Sequence, residues 1–262
     1  MSDALPQIPP QIPADEYPQR WRRVQQMMVA EQLDLLIAYA DDRAVFGPAH
    51  ARWLANFPVH FEPVCVVLAS TGQPLLLCGP ESDQYALLAG RIQDVSILRE
   101  FTHPDEDYPF SQIRGLAEVA TTLVTGPGSL RRVGIAGRGL IGYDFFVALQ
   151  RALPGVEWVD VETAMCNLRA RKSPAEQAVI QYAYTIAEAG LAAAVAAIAP
   201  RVTEREIAAA AEGAMRRAGA EGTGIDTIVA SGPNARPILG RSTFRRVEEN
   251  DLVLLTVAPR YE

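Results

Sequence analysis

The composition of this 262-residue chain limits the classes of protein to which it can belong. Apolar residues make up 49% and charged residues 21%, which excludes general disorder and suffices for one large core or two modest ones. The net charge of −7 and the pI of about 5.1 lack the basic footprint of nucleic-acid binding. No nucleic-acid partner is therefore expected.

The cysteines and the N-terminus predict where the protein resides. Cys65, Cys78 and Cys166 are widely separated and indicate neither a zinc knot nor a disulfide framework. The first residues show no cationic start followed by an apolar run, and no segment approaches the ~20 apolar residues that span a bilayer. We expect a cytoplasmic protein with no membrane partner.

The first half of the chain has the pattern of an α/β domain. Residues 1–14 are proline-rich and predict a surface tail. Asp15–Gln32 predicts an amphipathic helix with Trp21, Val24 and Met28 on its apolar face. Residues 15–165 form the predicted domain, with a mixed sheet. Its strand-length runs are Leu35–Tyr39, Pro63–Ala69, Pro74–Cys78, Val95–Leu98, Val133–Ala136 and Val156–Val159, and further helices are predicted at Ser82–Ile92, Gln112–Leu123 and Tyr143–Leu153.

The pattern changes after about Met165, and residues 166–262 predict a second domain. Ser173 and Thr203 each begin a capping box that opens a helix. Apolar runs at Ile225–Ala230 and Leu252–Val257 predict two strands that flank a long loop.

A glycine cluster between a predicted strand and a predicted helix is the first candidate for chemistry. Gly137–Gly142 fits the G-x-G-x-x-G pattern of dinucleotide-binding sites, and Asp160 occupies the place of a ribose-binding acid. However, such a site requires further strand–helix units, and the α/β region ends soon after. Glycine clusters more often only shape turns.

The remaining candidates are histidines and arginines. His103–Asp107 is interpreted as a solvated surface loop, and His50 as a structural histidine. His60 is also more typical of a structural residue, but we retain it as a substrate-binding candidate because loops before strands often carry sites. Arg236 and Arg241 could receive a carboxylate; an exposed basic loop that balances acidic neighbours is equally compatible.

Four segments in order carry a family resemblance. Leu168–Glu176, Ala199–Ile207, Thr227–Asn234 and Asp251–Leu255 resemble motifs of the creatinase, prolidase and Xaa-Pro aminopeptidase family. The region before them is similar to the N-terminal domain of that family. The resemblance implies an α/β N-terminal domain followed by the first part of an α+β pita-bread domain, and it implies a homodimer.

The resemblance also implies C–N bond hydrolysis, commonly with two metal ions, whereas creatinase uses a histidine without a metal. Leu239 stands at the histidine position and Thr256 at the position of the first metal-binding aspartate. The later ligands would lie beyond Glu262, so the chain is expected to be truncated. We therefore predict no metal, no cofactor and no transferable catalytic residue.

Three hypotheses remain open. The first is a hydrolase-family protein that is metal-free and, as it stands, inactive or incomplete, with a short-peptide or small-molecule ligand. The second is a non-enzymatic protein that binds a small molecule. The third is a dinucleotide-binding enzyme.

Overall fold

A computed structural model describes residues 9–123, 130–237 and 239–262 of the chain. The chain divides into two compact units. The first is Pro13–Arg171; the second is Lys172–Glu262 together with residues 9–12.

A seven-stranded mixed sheet forms the centre of the first unit. The spatial order is β5-β4-β3-β2-β1-β6-β7, in which β2 is antiparallel to both of its neighbours and the other neighbours are parallel. The predicted mixed sheet is therefore confirmed. Strand β5 corrects the predicted helix Gln112–Leu123, since Ile113–Arg114 form a strand and the helix begins only at Leu116. The strands are β1 (Leu35–Ala40), β2 (Val64–Ala69), β3 (Leu75–Cys78), β4 (Asp94–Leu98), β5 (Ile113–Arg114), β6 (Arg132–Ala136) and β7 (Glu157–Asp160).

Helices cover both faces of this sheet because its central strands are apolar on both sides. Leu35 and Ile37 of β1 pack in one core cluster with Leu116 and Leu149, which lie on α4 and α5. The alternate β1 residue Leu36 is fully buried on the other face, where α1 and α2 contact β1 and β2. The helices are α1 (Glu16–Ala30), α2 (Ala49–Ala55), α3 (Asp83–Ala89), α4 (Leu116–Leu123), α5 (Tyr143–Ala152) and α6 (Glu162–Ala170).

The unit boundary differs from the predicted position at Met165. Helix α6 contacts β6 and α1, and Met165 is fully buried, so this helix belongs to the first unit. The predicted surface tail also differs over residues 9–12. Ile12 is buried, and the Tyr261 hydroxyl donates a 2.7 Å hydrogen bond to the Pro10 carbonyl. A hydrogen bond to Tyr261 therefore joins these residues to the rest of the second unit.

Two helices and two small sheets form the second unit. Both predicted capping boxes are present, at Ser173 before α7 and at Thr203 before α8. The helices pack closely, since a Cβ at Gly190 would lie 2.5 Å from the Met215 side chain. Strand β9 pairs with β10 and β8 with β11, antiparallel in both cases. The elements are α7 (Pro174–Ala197), α8 (Glu204–Arg217), β8 (Gly222–Thr223), β9 (Ile228–Ser231), β10 (Val253–Thr256) and β11 (Pro259–Arg260).

Helix α7 corrects one expectation about apolar segments. By length and composition alone it could cross a membrane, with a mean hydropathy of 1.3 over an 18-residue window. The expectation that no segment is long and apolar enough to span a bilayer is therefore wrong for this helix. Core helices of soluble proteins meet the same criterion, and α7 packs against α8.

Candidate functional site

The most elaborate polar arrangement of the second unit surrounds a buried carboxylate at the start of α8. Glu204 is fully buried and accepts hydrogen bonds from five donor groups, which belong to Ser231, Asn234 and Thr243. The shortest joins Thr243 Oγ1 to Glu204 Oε2 at 2.6 Å. Burial acts to raise the pKa of Glu204, but hydrogen bonds from Thr243 and Ser231 outweigh it and lower the pKa. Glu204 thus fastens β9 and the following loop to α8.

An ion pair secures the same loop. Arg245 donates to Asp251 Oδ2 at 2.5 Å and to Ser231 Oγ at 2.7 Å. The hydrogen bond from Arg245 lowers the pKa of Asp251. Gly232 has a φ of +50°, and a Cβ there would lie 2.4 Å from Asp251 Oδ1. Only glycine therefore lets the backbone turn this close to Asp251.

A cleft of about 330 Å³ opens beside α8. Its charged lining residues have opposite signs, with Arg205 and Arg241 facing the cleft together with Glu212 and Asp226. Arg241 forms an ion pair with Asp226, and Arg205 lies 4.2 Å from the ring centroid of Phe244. A cleft with both signs of charge can receive a small zwitterion or a carboxylate.

The three predicted substrate-binding residues occupy different places. Arg241 lines the cleft, whereas Arg236 is exposed on the turn after β9 and does not belong to the described lining. His60 lies in the first unit; its side chain is 88% exposed, and Nδ1 is 3.1 Å from Asp42 Oδ2. Their assignment as substrate-binding residues stays a prediction.

The glycine cluster in the first unit lies beside a second cavity, of about 390 Å³. Arg138, Tyr143 and Asp160 line this cavity, and the Arg138 guanidinium is 3.5 Å from Asp160. The Gly137 N–H, which a phosphate would require, donates instead to Glu162 Oε2 at 2.7 Å. Strand β7 is also the edge of the sheet, and among the described residues no further strand follows it there. Both observations disfavour a dinucleotide site.

His50 completes the contacts of Glu162 and has a structural setting. Its Nε2 lies 2.9 Å from Glu162 Oε1, and its side chain is buried. Burial lowers the pKa of His50. Burial acts to raise the pKa of Glu162, but hydrogen bonds from Gly137 and His50 lower it. The pair joins α2 to the start of α6, which agrees with a structural role for His50.

Comparison with known protein families assigns both halves of the chain. Residues 20–171 match the creatinase/prolidase N-terminal domain, and residues 178–262 match metallopeptidase family M24. The chain belongs to the creatinase and prolidase family. The predicted fold, an α/β domain followed by the beginning of the pita-bread domain, is confirmed.

Individual relatives agree with this family. An Xaa-Pro dipeptidase from Pyrococcus horikoshii is 32% identical over 120 residues, 46% of this chain and 34% of that protein. The uncharacterized hydrolase/peptidase y4tM from Sinorhizobium fredii is 28% identical over 204 residues, 74% of this chain and 48% of that protein.

Solved structures share the fold. The prolidase from Pyrococcus horikoshii OT3 has a TM-score of 0.71 at 21% identity, covering 91% of this chain and 60% of that one. The X-Pro aminopeptidase from Thermotoga maritima MSB8 has a TM-score of 0.71, also at 21% identity, covering 92% and 61%. The chain thus spans about a third of the first curated relative and about 60% of these structures.

The resemblance assigns two of the family's functional positions, that of the histidine and that of the first metal-binding aspartate, to Leu239 and Thr256, and neither residue is a strong metal ligand. Thr256 ends β10 opposite Ile228, and Leu239 is 85% exposed on the loop. The Asp251 carboxylate already accepts hydrogen bonds from the Arg245 guanidinium and, at 2.8 Å, from the Glu248 N–H. All three histidines lie in the first unit, and the described part of the second does not bring three donor side chains together. These residues do not fit a two-metal centre.

Sequence reasoning missed the role of Glu204 because it follows the helix cap and was interpreted only as part of a helix start. A carboxylate at the first position of a helix is typical of solvent-exposed first turns. The available signal was limited to Ser231 and Asn234, polar residues that follow the apolar run Ile225–Ala230, because Thr243 lies in a polar segment.

Proposed function

We propose that this chain is a creatinase- and Xaa-Pro-peptidase-like protein that, over these 262 residues, binds a short peptide or a small carboxylate without metal-dependent cleavage. Two observations together carry the proposal: Thr256 stands at the position of a metal ligand, and Asp251 already forms an ion pair with Arg245. A neutral hydroxyl, that of Thr256, stands at the position of the first metal-binding carboxylate, and Asp251, which precedes the other end of the same strand, is held by Arg245.

The chemistry of two-metal hydrolysis explains why this matters. Such centres require several carboxylates, and usually a histidine, that converge on the ions and activate a water molecule. A threonine hydroxyl is a much weaker ligand for a hard cation than a carboxylate. Moving Asp251 to a metal would leave the Arg245 guanidinium without its 2.5 Å partner.

The test is an assay of the purified chain on Xaa-Pro dipeptides and tripeptides after dialysis, with Mn²⁺, Co²⁺ or Zn²⁺ added back. We expect no cleavage that depends on the metal. Guanidino compounds such as creatine are assayed in parallel for metal-free C–N cleavage. Xaa-Pro cleavage that a chelator abolishes would refute the proposal.

The cleft at Arg241 supports a second candidate function, a non-enzymatic protein that binds a small molecule. Thermal-shift measurements with dipeptides and short carboxylates test it, because a ligand at 100 times its Kd stabilises the folded state by ~2.7 kcal/mol. Arg241→Gln is expected to remove the shift. Arg236→Gln is the matched control, since that exposed arginine lies outside the described cleft lining. An equal loss in both variants would contradict binding at this cleft.

Self-association is also part of the proposal. Helix α7 exposes apolar side chains at Ile180, Tyr184, Leu191 and Val195, of which Tyr184 is 68% exposed. A homodimer would cover such surface. Sedimentation over a range of concentrations should detect a species larger than 28.5 kDa, which Tyr184→Glu weakens. A monomer at every concentration would exclude the homodimer.

A cytoplasmic location is supported by the state of the cysteines. All three are free, and burial raises the pKa of the Cys65 thiol and raises that of Cys78 to about 12. Free thiols are typical of proteins kept in a reducing compartment. Fractionation of expressing cells with antibody detection tests this location; recovery in an oxidising compartment would contradict it.

A further inference from the structure

The topology of the first unit gathers three loops at one edge of its sheet. Strand β2 runs antiparallel to β3, and β3 runs parallel to β4. The residues before β2 therefore lie beside the residues that follow β3 and β4. Glu62 precedes β2, Glu81 follows β3, and His103 follows the short turn after β4.

One ligand atom from each of Glu62, Glu81 and His103 lies within 4.8 Å of the other two. These donors come from three separate loops rather than from neighbouring positions in sequence. The His103–Asp107 segment was interpreted from sequence as surface because adjacent residues cannot all point at one ion. The structure pairs its histidine with two distant glutamates instead.

Glu62 is the unusual member of this group, because it is only 1% exposed and its carboxylate is incompletely hydrogen-bonded. The carboxylate accepts hydrogen bonds from Ser82 and from the Glu81 N–H, the latter to Oε1 at 3.2 Å, whereas buried Oε2 has no hydrogen-bond partner among the described residues. A buried carboxylate oxygen without a donor is costly unless a proton or a cation compensates it.

The backbone makes room for this carboxylate. A Cβ at Gly79 would lie 2.2 Å from the Glu62 carboxyl carbon, so a side chain there would push the carboxylate out of place. Neighbouring side chains orient the other two donors. Phe61 stacks on the His103 ring with centroids 4.4 Å apart, and the Tyr108 hydroxyl lies 3.1 Å from Glu81 Oε1. Contacts of this kind commonly fix the ligands of metal sites.

We propose that Glu62, Glu81 and His103 form a binding site for a divalent transition-metal ion, with Zn²⁺ as its best-suited occupant. Two carboxylates balance the charge of the ion, and an imidazole distinguishes Zn²⁺ and its neighbours from Ca²⁺ and Mg²⁺, which prefer oxygen ligands. Tetrahedral Zn²⁺ with bonds of ~2.0–2.2 Å holds its donors about 3.3–3.6 Å apart. Exposed Glu81 closes the remaining distance by rotating its side chain.

The role of the site is structural. The ion links the start of β2 and the end of β3 to the loop after β4, and it supplies the partner that Glu62 Oε2 lacks. The site lies entirely in the first unit and uses none of the positions that the family assigns to its metals. The proposal is therefore independent of the proposed function.

The experiment uses the full chain without an affinity tag, stripped of metal by chelator and dialysis. Zn²⁺ is titrated by calorimetry, and Co²⁺ is titrated by visible absorption, which reports its coordination. We expect saturation at one ion per chain, with a rise in Tm. Glu62→Gln and His103→Gln should each weaken Zn²⁺ binding by about tenfold or more and abolish the Co²⁺ band.

His60→Gln is the matched control, since this exposed histidine lies in the same region but outside the group of three donors. It should bind Zn²⁺ as the unmodified chain does. Equal affinity in Glu62→Gln and His103→Gln, or no saturable binding at all, would overturn the site. Stronger binding of Ca²⁺ than of Zn²⁺ would overturn the assigned metal class. If Glu62→Gln does not fold, His103→Gln decides the result alone.

The same variants separate this site from a centre of the family type. Metal that remains bound in His103→Gln and supports Xaa-Pro cleavage would refute the proposed function and leave the first-unit site to be judged by the Co²⁺ spectrum. Metal that is lost in His103→Gln, without any cleavage in the unmodified chain, supports both proposals.

Discussion

The two units each bury a glutamate, and the two carboxylates have opposite surroundings. Glu204 in the second unit accepts from five donor groups, and its pKa is lowered. Glu62 in the first unit has an oxygen without a described hydrogen-bond partner, and its pKa is raised because burial outweighs hydrogen bonds from Ser82 and Glu81. Both side chains are at most 1% exposed. Burial therefore does not decide the charge; the number of donors does.

Glu204 is therefore a structural acid, whereas Glu62 is a candidate metal ligand. Glu204 is satisfied within the protein and needs no ion, and its donors would be unpaired without it. Glu62 has capacity left for a proton or a cation. Four measurements test this difference.

The largest expected effect belongs to Glu204→Ala. Ser231, Asn234 and Thr243 would lose their shared acceptor, and each buried donor left unpaired costs about 1–3 kcal/mol. We expect a loss of roughly 3 kcal/mol or more in the free energy of unfolding, measured by urea denaturation. Glu212→Ala, on the exposed side of the same helix, is the control. A loss no larger than that of the control would show that the network contributes little.

Gly79→Ala tests the space beside Glu62. The added Cβ would lie 2.2 Å from the Glu62 carboxyl carbon, and we expect overpacking to cost about 1–3 kcal/mol. Shortening the carboxylate side chain in the double variant with Glu62→Ala should relieve part of this cost. Gly139→Ala is the control, since no atom lies within 4 Å of its added Cβ. Additive costs in the double variant would mean that Gly79 does not make room for Glu62.

The pH dependence should have opposite signs at the two carboxylates. The lowered pKa of Glu204 means that its contribution is present above the unfolded pKa and is lost as pH falls through the folded pKa. The raised pKa of Glu62 means that its contribution is present below the unfolded pKa and is lost as pH rises through the folded pKa.

The measurement is urea unfolding of chelator-treated protein in steps from about pH 3 to pH 7. Glu62→Gln should gain stability relative to the unmodified chain as pH rises through this window. Glu204→Gln should lose its difference from the unmodified chain at the acidic end. Parallel profiles for the two variants would contradict the contrast between the two carboxylates.

The smallest effect is expected at an exposed acid, Glu118, which pairs with Arg114 on the surface of the first unit at 3.2 Å. Glu118→Gln should change the free energy of unfolding by at most about 0.5 kcal/mol, because solvent screens such pairs. The same urea titration measures it. A cost comparable with that of Glu204→Ala would show that burial and donor number are not the deciding quantities.

The sequence by itself determined much of the architecture. Short apolar runs at Leu35–Tyr39 and Pro74–Cys78 became strands within a residue, since their periodicity and flanking turns are local properties. The capping boxes at Ser173 and Thr203 were correct because a cap and its partner lie three residues apart. The family followed from four short motifs. Strand β5 and helices α2 and α6 were missed because their signals are short or weakly periodic.

Only the tertiary structure decided the environment of each polar residue. Glu62 and Glu204 look alike in sequence, since each is a glutamate beside a strand or a helix start. Their donors come from 19 and up to 39 positions away along the chain. The convergence of Glu62, Glu81 and His103 depends on the order and direction of β2, β3 and β4 in the sheet. The pKa of a buried acid depends on neighbours in space, and local sequence patterns do not contain them.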